Sequence, residues 1–280
     1  MKLIHISDTH IGREDNLQRL GMVVDDLLAH PPDVPENCLV IHTGDVIDSA
    51  TDVHRLAGKT LLKRLAERYR VLLCPGNHDY GDAMSVNAEP AKKFREVFND
   101  YIFQGKPPTF PVIHEVGGEY VFIGLDSNAA TLSFFERWFA EGHLGKEQLA
   151  DLNKALSRPE LQNKKIIVYL HHHPFSCDCS VMPDMGGRHL LFHLFARLPR
   201  PFRRMKDASS FCKIVRDRVH MLLFGHMHFG LDCSGDSRRY GVPVALDGGS
   251  STCTGNEGDR IRYRIIDLQE MTYKVRAIPL

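Results

Sequence analysis

The sequence predicts an α/β protein, a sandwich of two mixed β-sheets with helices on the outside. Short runs rich in Ile, Val and Leu recur along the chain, and several are continuously apolar, as in strands buried on both faces. Segments with helical spacing of apolar residues lie between these runs, which is the strand–helix–strand order of α/β folds. The last third instead shows strand-like segments joined by short turns, with no helix between them.

The individual elements follow from these patterns. We expect strands at 2–7, 38–42, 70–74, 120–125, 165–170 and 219–224. Helices are predicted at 17–29, 53–69, 91–103 and 146–156; the first repeats Leu20, Val23, Val24, Leu27 and Leu28 on one face. The final strands are predicted at 242–247, 260–268 and 271–278. We expect these last strands to form an antiparallel segment that completes the second sheet.

Length and composition are those of an ordinary soluble protein, and we expect one domain over residues 1–280. The formal net charge of +0 gives no overall basic surface, so no stable nucleic-acid partner is expected. No apolar run approaches the roughly 20 residues of a membrane span. The apolar start is too short for a signal peptide, and the seven cysteines are an odd number. Together these features favour free thiols and a cytoplasmic location. The sequence does not indicate the oligomeric state.

Five short polar clusters each follow one of the apolar runs. They are Ser7-Asp8-Thr9-His10, Gly44-Asp45-Val46-Ile47-Asp48, Gly76-Asn77-His78-Asp79, His171-His172-His173-Pro174 and Gly225-His226-Met227-His228. Because open α/β sheets keep their active sites where strand ends meet, we expect the clusters to form one site. Carboxylates, imidazoles and an amide without thiolates suit Mn, Fe, Zn or Co, and the sequence does not choose among these metals.

Taken singly, the clusters are less specific. Gly76-Asn77-His78-Asp79 could be a polar turn, although a turn would not account for the histidine. Asp48 is better explained as a local cap, or as an acceptor that holds a metal ligand by a hydrogen bond, than as a metal ligand itself. At most one or two of the three imidazoles in His171-His172-His173 can face the same site.

In this order, the motifs Asp-x-His, Gly-Asp-x-x-Asp, Gly-Asn-His-Asp, His-His-x-Pro and Gly-His-x-His resemble those of the calcineurin-like metallophosphoesterase superfamily. The resemblance implies a two-sheet sandwich flanked by helices and a centre of two divalent or transition metal ions. It implies one ion held by Asp8, His10, Asp45 and His228. The other would be held by Asp45, Asn77, His171 and His226, with His172 as the alternative to His171. It further implies that His78 is an acid or electrostatic catalyst and that Asp79 orients it.

The activity implied by the resemblance is hydrolysis of small phosphoesters by a hydroxide that bridges the two metals. Such a pair of cations can clamp the attacking and leaving oxygens of an in-line displacement. Ser7-Asp8-Thr9-His10 and Leu125-Asp126-Ser127-Asn128 resemble class III cyclic nucleotide phosphodiesterases and small bacterial metallophosphodiesterases. We therefore expect a phosphodiesterase for cyclic nucleotides or glycerophosphodiesters.

The segment 175–207 is expected to form a cap or lid that is inserted next to the site. His172, Arg197 and Arg200 would contact the substrate. A plain surface helix remains open, as does peripheral membrane contact through 190–204, which would suit a nucleotide-lipid pyrophosphatase or phospholipid hydrolase. A DNA-repair-type nuclease shares the start of the chain but fits the neutral charge poorly. A non-catalytic scaffold of the same fold would not need the full set of ligands.

Overall fold

Two five-stranded sheets packed face to face organise the computed structural model, which describes residues 1–82, 85–128, 142–175, 204–254 and 259–280. The first sheet has the order β12 (Thr272–Pro279), β11 (Arg260–Asp267), β1 (Lys2–Ile6), β2 (Cys38–His42), β3 (Arg70–Leu73). The second has the order β10 (Val244–Asp247), β9 (Met221–Phe224), β8 (Lys165–Tyr169), β7 (Tyr120–Gly124), β6 (Val112–Val116). β4 (Gly81–Asp82) and β5 (Ser85–Val86) form a small hairpin.

The strands that lead to the polar clusters run parallel within each sheet. β1, β2 and β3 are parallel in the first sheet, and β7, β8, β9 and β10 are parallel in the second. Their carboxyl ends therefore lie at the same edge of each sheet. The remaining strands are antiparallel to their neighbours: β11 pairs with β1 and β12, and β6 pairs with β7.

Two expectations about the strands need correction. The antiparallel pair β11–β12 completes the first sheet rather than the second, and β10 is parallel to β9. Local sequence patterns do not contain the choice of neighbouring strand, which depends on packing between distant segments. β6 was not predicted, because half-exposed Ile113 and exposed Glu115 interrupt its apolar pattern at the sheet edge.

The helices flank the two sheets. They are α1 (Asn16–Ala29), α2 (Asp52–Ala66), α3 (Ala88–Val97), α4 (Asn99–Ile102), α5 (Lys146–Leu156), α6 (Ala208–Val215) and α7 (Ser234–Ser237). Short 3₁₀ turns lie at Pro35–Asn37, His78–Tyr80, Pro159–Leu161 and Arg238–Tyr240. The single helix predicted at 91–103 is divided at Phe98, whose ψ of 17° leaves the helical range. α6 was not predicted.

Three apolar layers hold the sandwich together. α1, α2 and α3 cover the outer face of the first sheet, where Leu20, Val23 and Val24 of α1 are buried as their spacing predicts. α5 and α6 cover the second sheet. Between the sheets, Leu39 and Ile41 of β2 belong to the same core as Phe122 of β7 and Leu223 of β9. Strands buried on both faces explain the continuous apolar runs.

The two ends of the predicted cap lie beside the fourth polar cluster. Met205 N–H donates a hydrogen bond of 2.9 Å to the carbonyl of His173. Arg197, Arg200 and most of the segment 190–204 lie outside the described residues. In the described part of the chain, no helix combines the length and apolarity needed to cross a membrane. Cys38, Cys74, Cys212, Cys233 and Cys253 are free thiols.

Candidate metal centre

The five polar clusters meet where the two sheets present the carboxyl ends of their parallel strands. Asp8 follows β1, Asp45 follows β2 and Asn77 follows β3, all in the first sheet. His171 follows β8, and His226 follows β9 in the second sheet. Side chains from both sheets therefore converge at one edge of the sandwich, as their position after strands predicts.

Asp8, His10, Asp45 and His228 form the first donor set. One donor atom from each of these side chains lies within 4.8 Å of the others. The Nε2 atoms of His10 and His228 are 3.0 Å apart. His228 Nε2 lies 3.3 Å from Asp8 Oδ1, and His10 Nε2 lies 3.6 Å from Asp45 Oδ2.

Asp45, Asn77, His171 and His226 form the second donor set. His171 Nε2 lies 3.3 Å from Asp45 Oδ2 and 3.1 Å from Asn77 Oδ1. His226 Nδ1 lies 3.2 Å from the same amide oxygen. Asp45 Oδ2 therefore borders both donor sets, because it also faces His10.

The spacing of these atoms fits metal coordination. Donors about 2.1 Å from a transition metal, in tetrahedral or octahedral geometry, lie about 3.0–3.5 Å from one another. The six donor–donor distances given above run from 3.0 to 3.6 Å. The facing nitrogens of His10 and His228 can share at most one proton between them, whereas a cation could accept a lone pair from each.

Five of these donors have backbone conformations that are uncommon for residues other than glycine. The φ angle is +50° at Asp8, +42° at His10, +53° at Asp45, +74° at His226 and +59° at His228. Each such conformation costs about 1–3 kcal/mol, and residues of this kind concentrate at functional sites. Backbone hydrogen bonds between the first two clusters hold the conformations: Asp8 N–H donates to the Gly44 carbonyl, and His10 N–H donates to the Asp45 carbonyl, both at 3.0 Å.

Hydrogen bonds to the other atoms of the donor side chains determine which atoms face the centre. His171 Nδ1 lies 2.8 Å from the Thr43 carbonyl, which can only accept, so Nδ1 carries a hydrogen and Nε2 is the nitrogen left to bind a cation. Asp45 Oδ1 accepts from His78 N–H at 2.9 Å, which leaves Oδ2 for the centre. On its other side, His10 Nδ1 lies 3.2 Å from Asp48 Oδ1.

Burial and the opposite charges in the centre shift several pKa values. Burial alone would raise the pKa of Asp45, but His171, His78 and His10 hold the pKa well below its usual range. Burial would lower the pKa of His171, and the Asp45 carboxylate instead raises it to about 9. At His10 burial dominates and lowers the pKa to about 4. A cation at the second donor set would therefore compete with a proton for His171.

Asp79 was predicted to orient His78, but the hydrogen bonds of its carboxylate lie on the loop. Its oxygens accept hydrogen bonds from Gly76 N–H at 2.8 Å and Ile47 N–H at 3.1 Å, and so hold the loop. Burial and the charge of Asp45 raise the pKa of Asp79 well above its usual range. His78 is oriented by Asp48 instead, because its Nδ1 lies 2.7 Å from the Asp48 carbonyl. Adjacency in sequence suggested Asp79, but the 3₁₀ turn at His78–Tyr80 points the two side chains to different partners.

The alternative ligand His172 also lies near the second donor set. Its ring centroid is 4.5 Å from that of His226, and its Nδ1 is 2.8 Å from Ser127 Oγ. Both His171 and His172 are buried. His171 is the one whose Nε2 is within 3.3 Å of Asp45.

Sequence analysis did not single out Arg13, which lies at the open side of the centre. Asp8 and Asp45 are almost fully buried, whereas His78, His228 and Asp48 have side chains 13%, 18% and 27% exposed. Arg13, 43% exposed, forms an ion pair with Asp48, with Nη2 2.7 Å from Oδ1. The sequence signal for this contact is an arginine shortly after the first cluster, but a lone arginine in a loop is too common to identify a site.

Comparisons with known proteins agree with this architecture. The sequence model described as calcineurin-like phosphoesterase matches residues 1–230. A dimetal phosphatase from Danio rerio is similar in structure, with a TM-score of 0.62 and 13% identity over 100% of this chain and 98% of that chain. A 5'-nucleotidase precursor from Thermus thermophilus has a TM-score of 0.53 and 16% identity; the match covers 100% of this chain and 54% of the nucleotidase. At these identities the likeness shows the fold. No curated protein matches this sequence significantly.

Gly76 offers a test of how closely the loops of the centre must approach. A Cβ at position 76 would lie 2.1 Å from Asp45 Oδ1 and 2.3 Å from Asp45 N, and the backbone atom cannot move cheaply. Gly76→Ala should therefore displace Asp45 and abolish high-affinity Mn²⁺ binding, measured by calorimetric titration. Gly21→Ala in α1 is the matched control. The added Cβ would meet nothing within 4 Å, and because alanine favours a helix more than glycine does, the protein should become about 0.5–1 kcal/mol more stable. Wild-type Mn²⁺ affinity in Gly76→Ala would contradict this account of the loops.

Proposed function

Because this chain belongs to the calcineurin-like phosphoesterase family, we propose that it is a dinuclear metal-dependent phosphodiesterase acting on small substrates. The observation that carries the proposal is the position of Asp45 Oδ2, which lies 3.6 Å from His10 Nε2 in the first donor set and 3.3 Å from His171 Nε2 in the second. A carboxylate oxygen between two sets of donors suits a ligand shared by two cations.

Each donor set would hold one cation. The first would use Asp8, His10, Asp45 and His228, and the second would use Asp45, Asn77, His171 and His226. Two cations at such a centre supply Lewis acidity and lower the pKa of a coordinated water. The imidazole, carboxylate and amide donors are compatible with Mn, Fe, Zn or Co.

His78 is proposed to give a proton to the leaving oxygen. Its Nδ1 must carry a proton, because the Asp48 carbonyl 2.7 Å away can only accept. Nε2 is then the atom that exchanges a proton with the substrate. To act as the acid, the ring must carry protons on both nitrogens; Asp48 Oδ1 lies 3.7 Å from Nδ1.

Arg13 is proposed to bind a phosphate oxygen as the substrate enters. Asp48 engages Nη2, and the side chain remains 43% exposed beside the partly exposed His78 and His228. A planar guanidinium with several donors matches phosphate geometry. Arg197 and Arg200 of the cap remain further candidates for substrate contacts, together with His172. Peripheral membrane contact through 190–204 is a further possibility for the cap, and a cytoplasmic location is part of the proposal.

Small phosphodiesters suit this arrangement better than nucleic acid. The net charge of +0 gives little of the electrostatic attraction on which binding to long nucleic acid depends. Cyclic nucleotides are the leading candidates, with glycerophosphodiesters second. The dimetal phosphatase of similar fold makes phosphomonoesters the other substrate class to compare.

Substrate choice can be tested with the purified protein in the presence of Mn²⁺. We expect cyclic nucleotides, glycerophosphodiesters or bis-p-nitrophenyl phosphate to be hydrolysed with higher kcat/KM than p-nitrophenyl phosphate or duplex DNA. Asp45→Asn is the inactive control, and Asp25→Asn, which changes an exposed carboxylate on α1, should retain full activity. Preferential cleavage of the phosphomonoester or of DNA would overturn the substrate assignment.

His78→Ala tests the proton-donor role. We expect kcat to fall by about 10²–10⁴-fold for a substrate with an alkoxide leaving group, the usual scale of general acid catalysis. The loss should be much smaller for a p-nitrophenolate leaving group, which departs without a proton. Metal content, measured by elemental analysis, should stay at the wild-type value. An equal loss of kcat for both leaving groups would mean that His78 acts electrostatically or structurally.

A further inference from the structure

A row of buried hydrogen bonds runs from the interior of the first sheet to Asp8. His5 Nε2 lies 2.9 Å from Thr43 Oγ1, and the Thr43 hydroxyl donates to Ser7 Oγ at 2.7 Å. The Ser7 hydroxyl then donates to Asp8 Oδ2 at 2.5 Å. All four residues are completely buried. We call His5, Thr43, Ser7 and Asp8 the relay.

The chemistry of the groups allows one direction for the protons in the relay. The ionised carboxylate of Asp8 can only accept, so Ser7 must donate to it. The Ser7 oxygen then has to accept the proton of Thr43, whose own oxygen must accept from His5. His5 is therefore the neutral tautomer with hydrogen on Nε2. Consistent with this, burial together with the charge of Arg264 lowers the pKa of His5 to about 3.

The second sheet encloses the relay and excludes competing partners. A Cβ on Gly225, the residue that follows β9, would lie 2.1 Å from Ser7 Oγ and 2.3 Å from Asp8 Oδ2. The backbone at Gly225 therefore lies so close to Ser7 and Asp8 that only glycine fits there. His5 Nδ1 has no hydrogen-bond partner among the residues that the structure describes, so Thr43 is the one described partner of this ring.

We propose that His5 and Thr43 are positioning residues that fix the rotation of the Asp8 carboxylate and thereby set the metal affinity of the first donor set. The proposal rests on the proposed function, because it takes Asp8 as a metal ligand. Ser7 holds Oδ2, and this leaves Oδ1, 3.3 Å from His228 Nε2, for the cation. The second contact of Asp8, from His226 N–H, is 3.0 Å from one oxygen and 3.1 Å from the other, so it does not distinguish them.

The relay predicts an asymmetry between the two donor sets. Asp8 belongs to the first set alone. Losing the hydrogen bonds that fix its carboxylate should therefore weaken the binding of one cation and leave the binding of the other unchanged. Loss of an outer hydrogen-bond partner of a ligand typically costs about 10–100-fold in metal affinity. The backbone carbonyl of Thr43, which holds His171 of the second set, is present whatever the side chain at position 43.

Position 43 allows a matched pair of variants. Thr43→Val has the same shape without the hydroxyl, whereas Thr43→Ser keeps the hydroxyl and loses a methyl group. Stepwise Mn²⁺ binding by calorimetry and electron paramagnetic resonance should show about 10–100-fold weaker binding of one ion in Thr43→Val, with the other changed by less than about threefold. Thr43→Ser should bind both ions nearly as the wild type does. Ser7→Ala, which removes the last donor, should reproduce the Val result even if Thr43→Val folds poorly.

A double-mutant cycle and a spectroscopic measurement complete the test. If His5 acts through Thr43, the double variant His5→Phe, Thr43→Val should bind that ion no more weakly than either single variant does. In wild-type protein, ¹⁵N resonances of His5 should show hydrogen on Nε2 and none on Nδ1. Equal Mn²⁺ affinities in Thr43→Val and Thr43→Ser, equal weakening of both ions, or additive effects would each overturn the proposal. Wild-type protein that binds fewer than two ions or hydrolyses no phosphoester would instead contradict the proposed function.

Discussion

The position of the Asp45 carboxylate is the constraint on which the rest of the centre depends. This residue leaves β2 with φ of +53°, which turns its side chain toward the gap between the two sheets. One carboxylate oxygen is fixed by the backbone of His78, and the other faces histidines of both donor sets. Gly76 permits the close approach of the third cluster to Asp45. Any shift of this carboxylate would therefore alter both donor sets at once.

Packing between the sheets brings the remaining donors to Asp45. Asp8, Asp45 and Asn77 follow strands of the first sheet, whereas His171, His226 and His228 follow strands of the second. The apolar layer that joins β2 to β7 and β9 therefore determines the spacing of the donors, although it lies below them. Since the donor sets exist only when the sheets are packed, cation binding should stabilise the folded state. Several donors sit in strained backbone conformations, a cost that the surrounding fold carries.

The sequence predicted the strands that lead to the centre and the polar clusters after them, because both depend on local patterns; the assignment of donors to two ions came from the resemblance to a family. Apolar runs identify buried strands, and polar residues directly after them mark the edge where strand ends meet. The pairing of β11 with β1 could not be predicted in this way, because it joins segments from opposite ends of the chain. The same limit applies to Asp48, which holds His78 in place of Asp79, and to Thr43, which connects His5 to Ser7. These contacts depend on where distant loops meet, and residue types alone do not encode that.

The proposed dinuclear centre requires one carboxylate to join two metal ions. Crystals grown with Mn²⁺ and measured with X-rays at the manganese absorption edge test this requirement most directly. We expect two anomalous peaks about 3.5–4 Å apart, the spacing of two-metal sites, with the Asp45 carboxylate bound to both. The first peak should also contact Asp8, His10 and His228, and the second should contact Asn77, His171 and His226. A single peak at saturating Mn²⁺, or two peaks of which only one contacts Asp45, would contradict the account.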